Sequence, residues 1–382
     1  MARWGGTGFA RLPAEAPYPT TTRATRISLV VPLVCCALLN GLCLRHLDNS
    51  TYRLIERKWS LLAERPNSAT CLVLGDSNGI NGVLPTELGT RFGGSWLNLC
   101  TNSRMLVAHD AWMLQQYIEH HGPPRAVLLV HALPGWQLEP DETTYQCLSR
   151  VPLPWGYWCG MQPELALGAK HLVMMFLERY APLYAQNRNI DDLLSEPVSS
   201  LFRGSDRSTA TRPGPPPFSL VQDQELGFVP RGNSLKRSAL QADLAVWKAR
   251  PPFEISPINR EALLTMIRLS ERCGFQLFVA NGPLAAAVLD LDSARKYAAA
   301  ADAALSQLVA GSPTASYLRG VVSFPADQMC DSEHPTTAAA RVYTGRLANR
   351  MRYPGRQGDG SPANLTSPHP QPSAARPTDS GG

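Results

Sequence analysis

The sequence predicts an α/β protein: a three-layer α/β/α domain built on a five-stranded parallel sheet of flavodoxin-like order. Three observations predict it. Short apolar runs recur at residues 71–74, 96–100, 126–130, 275–280 and 321–324, and continuous rather than alternating hydrophobicity is what a strand needs when helices cover both its faces. Helix-length segments separate the runs, and strand, helix, strand at this spacing implies parallel pairing through right-handed crossovers. The first run stops abruptly at Gly75-Asp76-Ser77, followed by two asparagines and two glycines within five residues. Glycine lets the chain turn where a Cβ would clash, and open α/β sheets gather their chemistry at the carboxyl ends of strands. Ser77 therefore stands where a nucleophile works.

Composition bounds the rest. A chain of 382 residues holds one large domain or two ordinary ones, and 44% hydrophobic residues supply ample core. The net charge of +5 comes from scattered arginines, with no Lys/Arg block interleaved with aromatics, which argues against nucleic acid as a partner. Proline and glycine cluster at both ends and in the middle, marking linkers.

Taken in order, residues 1–26 are polar, with Arg3, Arg11, Arg23 and Arg26 against the single acid Glu15. Residues 27–44 carry no charge, about the minimum length for a helix crossing ~30 Å of hydrocarbon, and Pro32 is compatible with a membrane helix. No small-x-small site follows, and Leu42 stands where a lipobox before Cys43 needs a small residue. The reading is an uncleaved transmembrane anchor, with a buried soluble helix as the alternative. Arginines ahead of the run predict a cytoplasmic amino tail and an exported remainder, although Arg45, Arg53, Arg57 and Lys58 behind it blunt the asymmetry. Residues 45–67 read as a polar juxtamembrane linker.

Residues 68–353 form the α/β domain. Helices are expected at 85–92, opened by proline, at 104–120, stopped by Gly122-Pro123-Pro124, at 259–273, capped by Gly274, at 285–310, and at 336–351. Residues 134–257 interrupt the alternation, with one helix at 164–184, and long insertions of this kind form lids or binding walls. Residues 354–382 hold almost no large apolar residue and are expected to stay disordered. In an exported domain Cys147 with Cys159 is the disulfide to test, free buried thiols being equally compatible. No C-x-x-C pair with nearby histidines occurs, so no metal site is expected.

A second motif, Cys330-Asp331-Ser332-Glu333-His334-Pro335, precedes the last helix. An aspartate three residues before a histidine can hold the imidazole in one tautomer while its other nitrogen takes a proton from a serine, which is what serine chemistry needs. The plainer alternative is that Asp331 opens the helix and His334 lies on the surface.

Together, Gly75-Asp76-Ser77 at the end of the first strand and Asp331-Ser332-Glu333-His334-Pro335 near the carboxyl end resemble the SGNH, or GDSL, hydrolase superfamily over residues 68–350, the insertion excluded. A narrower likeness, through residues 72–81, Asn98-Leu99 and His334, is to membrane-anchored branches that modify bacterial cell-surface polymers, such as alginate O-acetyltransferase-like proteins and the D-alanyl transfer protein of teichoic acids. The resemblance implies Ser77 as nucleophile, His334 as base and Asp331 as its orienting partner. It implies a serine esterase or O-acyltransferase acting on acyl esters, with a cell-surface carbohydrate as substrate and no cofactor. A catalytically inactive scaffold or polymer-binding domain is the alternative.

The resemblance also implies an oxyanion hole made from the serine's own N–H, a glycine after strand two and an asparagine after strand three. Here Ser103 stands near the glycine's place, and Leu129-Val130-His131-Ala132 offers no asparagine, leaving Asn102 or Asn281 as substitutes. His131 has no identifiable acidic partner and reads as a pocket-lining or core histidine. Asp76 is expected to orient its turn through backbone hydrogen bonds. A nucleotide-binding site is disfavoured, because the first turn lacks both G-x-G-x-x-G and a Walker lysine.

Overall fold

The sheet strands follow from the apolar runs. The computed structural model describes residues 23–46, 50–64, 69–151, 169–181, 226–231 and 237–352. Its strands are β1 (Cys71–Gly75), β2 (Trp96–Asn98), β3 (Ala126–His131), β4 (Gln276–Asn281), β5 (Leu284–Ala285), β6 (Ala315–Tyr317) and β7 (Ser323–Phe324). Five of them form one parallel sheet in the order β2-β1-β3-β4-β6. Every residue of β1 and β3 is buried, as expected for central parallel strands covered on both faces. Gly75 pairs with Val130, and His131 with Asn281. The carboxyl ends of β1, β3 and β4 therefore lie level at one edge, and the site is built there.

The helices are α1 (Arg23–His46), α2 (Ser50–Glu64), α3 (Ser77–Gly82), α4 (Pro85–Phe92), α5 (Leu106–His121), α6 (Glu142–Leu148), α7 (Ala169–Tyr180), α8 (Arg237–Lys248), α9 (Pro257–Cys273), α10 (Ala286–Leu289), α11 (Asp292–Val309) and α12 (Thr337–Arg352). Local chemistry sets their ends. In α9 the Ser256 side chain accepts the Asn259 N–H, Pro257 occupies the first turn, and Gly274 closes the helix in the left-handed region at φ 75°, the arrangement that satisfies both sets of orphan backbone groups. α5 packs on α9, while α12 packs against α3 and α4.

The chain divides into two compact units, Met1–Trp59 with Pro140–Pro215, and Ser60–Glu139 with Pro216–Gly382. The expected insertion is thus shared: residues 140–215 group with the amino-terminal stretch, whereas residues 216–257 belong with the sheet. In the first unit Glu178 of α7 joins two partners that also touch each other. Tyr52 of α2 donates to its carboxylate at 2.8 Å, Arg150 donates to its carbonyl at 2.9 Å, and the Arg150 guanidinium lies 4.1 Å from the Tyr52 ring centroid. Burial and the neighbouring carboxylate push the Tyr52 hydroxyl pKa up.

Several expectations are corrected. The fifth sheet strand is β6, not residues 321–324, of which Ser323–Phe324 pair instead with Leu284–Ala285 outside the sheet. An edge strand is hydrogen-bonded on one side only, so the three residues Ala-Ser-Tyr suffice without a continuous apolar run. Much of residues 45–67 is helix α2 rather than linker: Leu54, Ile55, Trp59, Leu61 and Leu62 are buried at helical spacing, with Lys58 buried among them and Arg53, Glu56 and Glu64 exposed. The alanine-rich helix is broken into α10 and α11 at Asp290-Leu291, and β2 stops at Asn98, whose side chain turns to other work described below.

The uncharged run lies inside α1, whose Val30, Val31, Leu33, Val34, Leu38 and Leu39 are exposed. Among the described residues no helix is long and apolar enough to cross a membrane, and of α1 only the side chains of residues 30–41 are described. Cys147 is buried in α6, whereas Cys159, residues 182–225 of the expected insertion and residues 354–382 lie outside the described residues.

Candidate active site

The turn that carries the candidate nucleophile Ser77 is built from the backbone outward. Gly75 ends β1 at φ 132°, and a Cβ there would lie 1.8 Å from the Val130 carbonyl oxygen; only glycine allows β1 and β3 to run this close through the turn. Asp76 follows in extended conformation as the N-cap of α3, its Oδ1 accepting the Asn78 N–H at 2.9 Å and its Oδ2 the Ala132 N–H at 2.8 Å. The expected turn-orienting role of Asp76 is therefore what the structure contains. Ser77 is the first residue of α3. Asn98, at the end of β2, braces that helix by donating to the Gly79 and Val83 carbonyls at 2.8 and 3.0 Å.

The candidate base arrives from a loop far along the chain. Asp331 folds its loop around itself: Oδ1 accepts the N–H groups of Glu333 at 2.9 Å and His334 at 2.7 Å. The loop is pinned further by Ser332 N–H to Asp243 of α8 at 3.1 Å, Ala285 N–H to the Ser332 carbonyl at 2.9 Å, and Cys330 N–H to the His334 carbonyl at 2.8 Å. His334 Nδ1 lies 2.7 Å from Asp331 Oδ2, and His334 Nε2 lies 2.8 Å from Ser77 Oγ. The three residues singled out from sequence, 257 positions apart at the extremes, are thus one hydrogen-bonded relay. With Nδ1–H donated to Asp331, Nε2 is left as the acceptor for the serine proton, the tautomer that general-base work requires. Burial opposes ionisation of Asp331, but its bonds from His334 and the loop amides outweigh that and hold its pKa at about 2.

The oxyanion candidates are placed less closely. Thr101 N–H donates to the Gly75 carbonyl at 2.8 Å, so Asn102 and Ser103 leave the sheet beside the nucleophile turn. Asn102 accepts the Arg104 N–H through Oδ1 at 2.9 Å and caps the 3₁₀ turn Ser103–Met105. That turn meets α5 at Leu106, which holds φ 61°, a conformation costly for a branched side chain. Asn281 is committed elsewhere: its amide accepts from Trp136 Nε1 at 2.9 Å and donates to the Tyr317 hydroxyl at 2.6 Å, and Tyr317 donates to Asp302. It is a framework residue, which corrects its reading as an oxyanion substitute. The backbone N–H of Ala132 is likewise taken by Asp76.

His131 corrects the sequence reading more sharply, because it has two acidic partners. Its Nε2 lies 2.6 Å from Asp110 Oδ2, and its Nδ1 lies 3.6 Å from Asp76 Oδ2. The sequence signal was present in Asp110 and His109, polar residues on an α5 face that is otherwise apolar and buried.

Beside His334 opens a cleft of about 300 Å³ walled by Asp243, Trp247, Arg250 and Glu333. Arg250 lies 4.5 Å from the Trp247 ring centroid. Glu333 is half-buried as a residue while its carboxyl is enclosed, and burial pushes that carboxyl up to about 7. Residues 226–231 border the same region: Val229 N–H donates to the Ile80 carbonyl at 3.1 Å, Asn81 donates to the Val229 carbonyl at 2.8 Å, and Phe228 packs with Leu84 and Ala340.

Among the described residues no group of three or more His, Cys, Asp or Glu side chains is arranged to hold a metal ion. No family model matches the chain, and no curated protein matches it.

Proposed function

We propose that the chain is a serine esterase or O-acyltransferase of the SGNH type. The observation that supports this most directly is the Ser77–His334–Asp331 relay at 2.8 and 2.7 Å. Ser77 Oγ attacks an acyl ester carbonyl as His334 Nε2 takes its proton. The tetrahedral oxyanion collapses, the alkoxide leaves with that proton, and an acyl-Ser77 remains. Water or a second hydroxyl, deprotonated by His334, then attacks the acyl carbon; the acyl–Ser77 bond breaks, Ser77 Oγ recovers the proton from His334, and a free acid or a new ester leaves. The cleft beside His334 accommodates the acyl donor or a carbohydrate acceptor, and the Ser77 backbone N–H with Ser103 and Asn102 forms the oxyanion site. The sheet order is the doubly wound one in which ligands bind beyond the strand ends, in keeping with a three-layer flavodoxin-like domain.

We further propose a single amino-terminal anchor. Its support is the uncharged run at residues 27–44 within α1 and the apolar side chains that α1 exposes; the domain with the relay would then be extracytoplasmic. One observation favours the inactive-scaffold reading: Leu129-Val130-His131-Ala132 at the end of β3 holds no asparagine, and such a donor contributes about 2.7–4 kcal/mol to transition-state stabilisation elsewhere. Treating the full chain in detergent with a fluorophosphonate probe separates the two. Covalent labelling that disappears in Ser77→Ala supports the enzyme; an unlabelled wild-type chain supports the scaffold.

A further inference from the structure

The chemistry above leaves one cluster of ionisable groups unused. Asp76, Asp110 and His131 are 0%, 1% and 2% exposed, and together they surround the nucleophile turn. Asp110 Oδ1 accepts the Gly75 N–H at 3.1 Å, while Asp76 accepts the Asn78 and Ala132 N–H groups at 2.9 and 2.8 Å. Two carboxylates, on α5 and on the β1–α3 turn, therefore hold the amides on either side of Ser77. Carboxylates buried this deeply are costly unless a cation joins them, and the basic side chain that reaches both is His131, 2.6 Å from one and 3.6 Å from the other.

We infer that His131 is a resident imidazolium held between Asp76 and Asp110, and that it is a positioning residue for the reaction at Ser77, acting through Asp76. This rests on Ser77 being the nucleophile. The charge matters because Asp76 directly precedes Ser77. An uncompensated carboxylate there opposes the negative charge that develops on the substrate oxygen in the transition state, and the imidazolium cancels that field while fixing the carboxylate that caps α3. The groups facing His131 agree. Burial alone would lower its basicity, but the hydrogen bonds and charges of Asp110 and Asp76 outweigh it and raise its pKa to about 10. Neighbouring His109 on α5 is driven down to about 4 by burial and carries no charge at neutral pH. Trp136 closes the site, its ring centroid 5.1 Å from that of His131. Glu333 feels the Asp76 carboxylate from the cleft side.

The direct test uses the wild-type full chain in detergent micelles. Imidazole ¹⁵N NMR at pH 8, with the signal assigned by its absence in the Asp110→Asn/His131→Gln double variant, is expected to show both His131 ring nitrogens protonated. A neutral ring overturns the inference. The second test reads the acidic limb of kcat/KM for p-nitrophenyl acetate. Loss of a positive charge favours protonated His334, so His131→Gln is expected to move that limb up by about half a pH unit and to lower kcat roughly tenfold with little change in KM. The double variant, which removes one negative charge with the positive one, returns the limb toward wild type. A purely structural role predicts an unmoved limb in folded His131→Gln, and that result overturns the positioning role; a limb that stays displaced in the double variant overturns it too. Labelled Ser77 with a neutral His131 defeats this inference alone, whereas a charged His131 beside an unreactive Ser77 defeats the proposed activity and the positioning role with it.

Discussion

Arg231 places Nη1 3.2 Å from Asp331 Oδ2, the carboxylate oxygen that also faces His334 Nδ1. The guanidinium thus shares the acid of the relay with the base. Its own backbone is fixed by Thr337, whose N–H and hydroxyl both donate to the Arg231 carbonyl, at 2.8 and 2.7 Å. Arg231→Ala is expected to raise the acidic limb of kcat/KM, since losing a cation beside the Asp–His pair favours protonated His334. Arg231→Lys is expected to restore most of it. Both side chains are about a third exposed or more, so the change in unfolding free energy is expected to stay within about 1 kcal/mol; denaturant titration of the two variants checks this.

Asp331→Asn tests the tautomer argument. An amide can still accept the Glu333 and His334 N–H groups, so the loop survives, but it no longer favours Nδ1–H on His334. A fall in kcat of about 10²- to 10⁴-fold is expected, measured on p-nitrophenyl acetate with circular dichroism as the control for folding.

The pH dependence of stability follows from two groups with opposite signs. Asp331 is lowered from 3.8 to about 2 in the folded chain, so its contribution is complete above its unfolded value and is lost as pH falls through about 2. His131 is raised from 6.5 to about 10, so its contribution is complete below 6.5 and is lost as pH rises through about 10. Urea midpoints measured from pH 2 to pH 10 should therefore decline at both ends. Asp331→Asn should flatten the acid side, modestly because the group is partly exposed, and Asp110→Asn/His131→Gln should flatten the alkaline side.

Two glycines with positive φ separate steric need from conformational preference. Gly75→Ala combines φ 132° with a Cβ 1.8 Å from the Val130 oxygen, and a loss of roughly 3 kcal/mol or more is expected. Gly122, at φ 80°, has nothing within 4 Å of the place a methyl group would take, so Gly122→Ala is expected to cost only about 1–2 kcal/mol. Parallel thermal unfolding of the two variants reads the difference.

Asn281→Ala separates framework from chemistry. It breaks the link from Trp136 to Tyr317 and leaves the buried Trp136 indole N–H unpaired, while Tyr317 keeps its bond to Asp302, so about 1–3 kcal/mol of stability should be lost. Activity per folded molecule is expected to change less than threefold; a hundredfold fall in kcat would return Asn281 to the oxyanion site.

How far the sequence reached depended on whether an element's signal was local. Cys71-Leu72-Val73-Leu74 and Ala126 to Val130 were legible because a central parallel strand must be apolar at every position, and Gly75-Asp76-Ser77 because a turn of this kind needs glycine first. The edge strand Ala315–Tyr317 was not, since it needs apolar residues on fewer positions, and the stronger apolar run at residues 321–324 drew the assignment. In α2, Arg53, Glu56, Arg57 and Lys58 hid Leu54, Ile55, Trp59, Leu61 and Leu62, which only a helical period collects on one side. Ser77, Asp331 and His334 were readable because each sits in a short motif of its own. Asp110 stands out locally as a polar residue on a buried face of α5, but its pairing with His131, 21 residues away, is set by how α5 crosses the sheet, and nothing local names the partner.

The last helix is stitched to the first turn of the site: Thr344 of α12 accepts the Leu84 N–H at 3.1 Å and donates to the Gly82 carbonyl at 3.1 Å, and Tyr343 donates to the Asn281 carbonyl at 2.6 Å. Ser77 is therefore translated 257 residues ahead of His334, the residue its hydroxyl meets in the folded chain. A nascent chain that ends between the two carries the alcohol without the imidazole, so translation order itself delays the relay until both stretches have been made and have folded together.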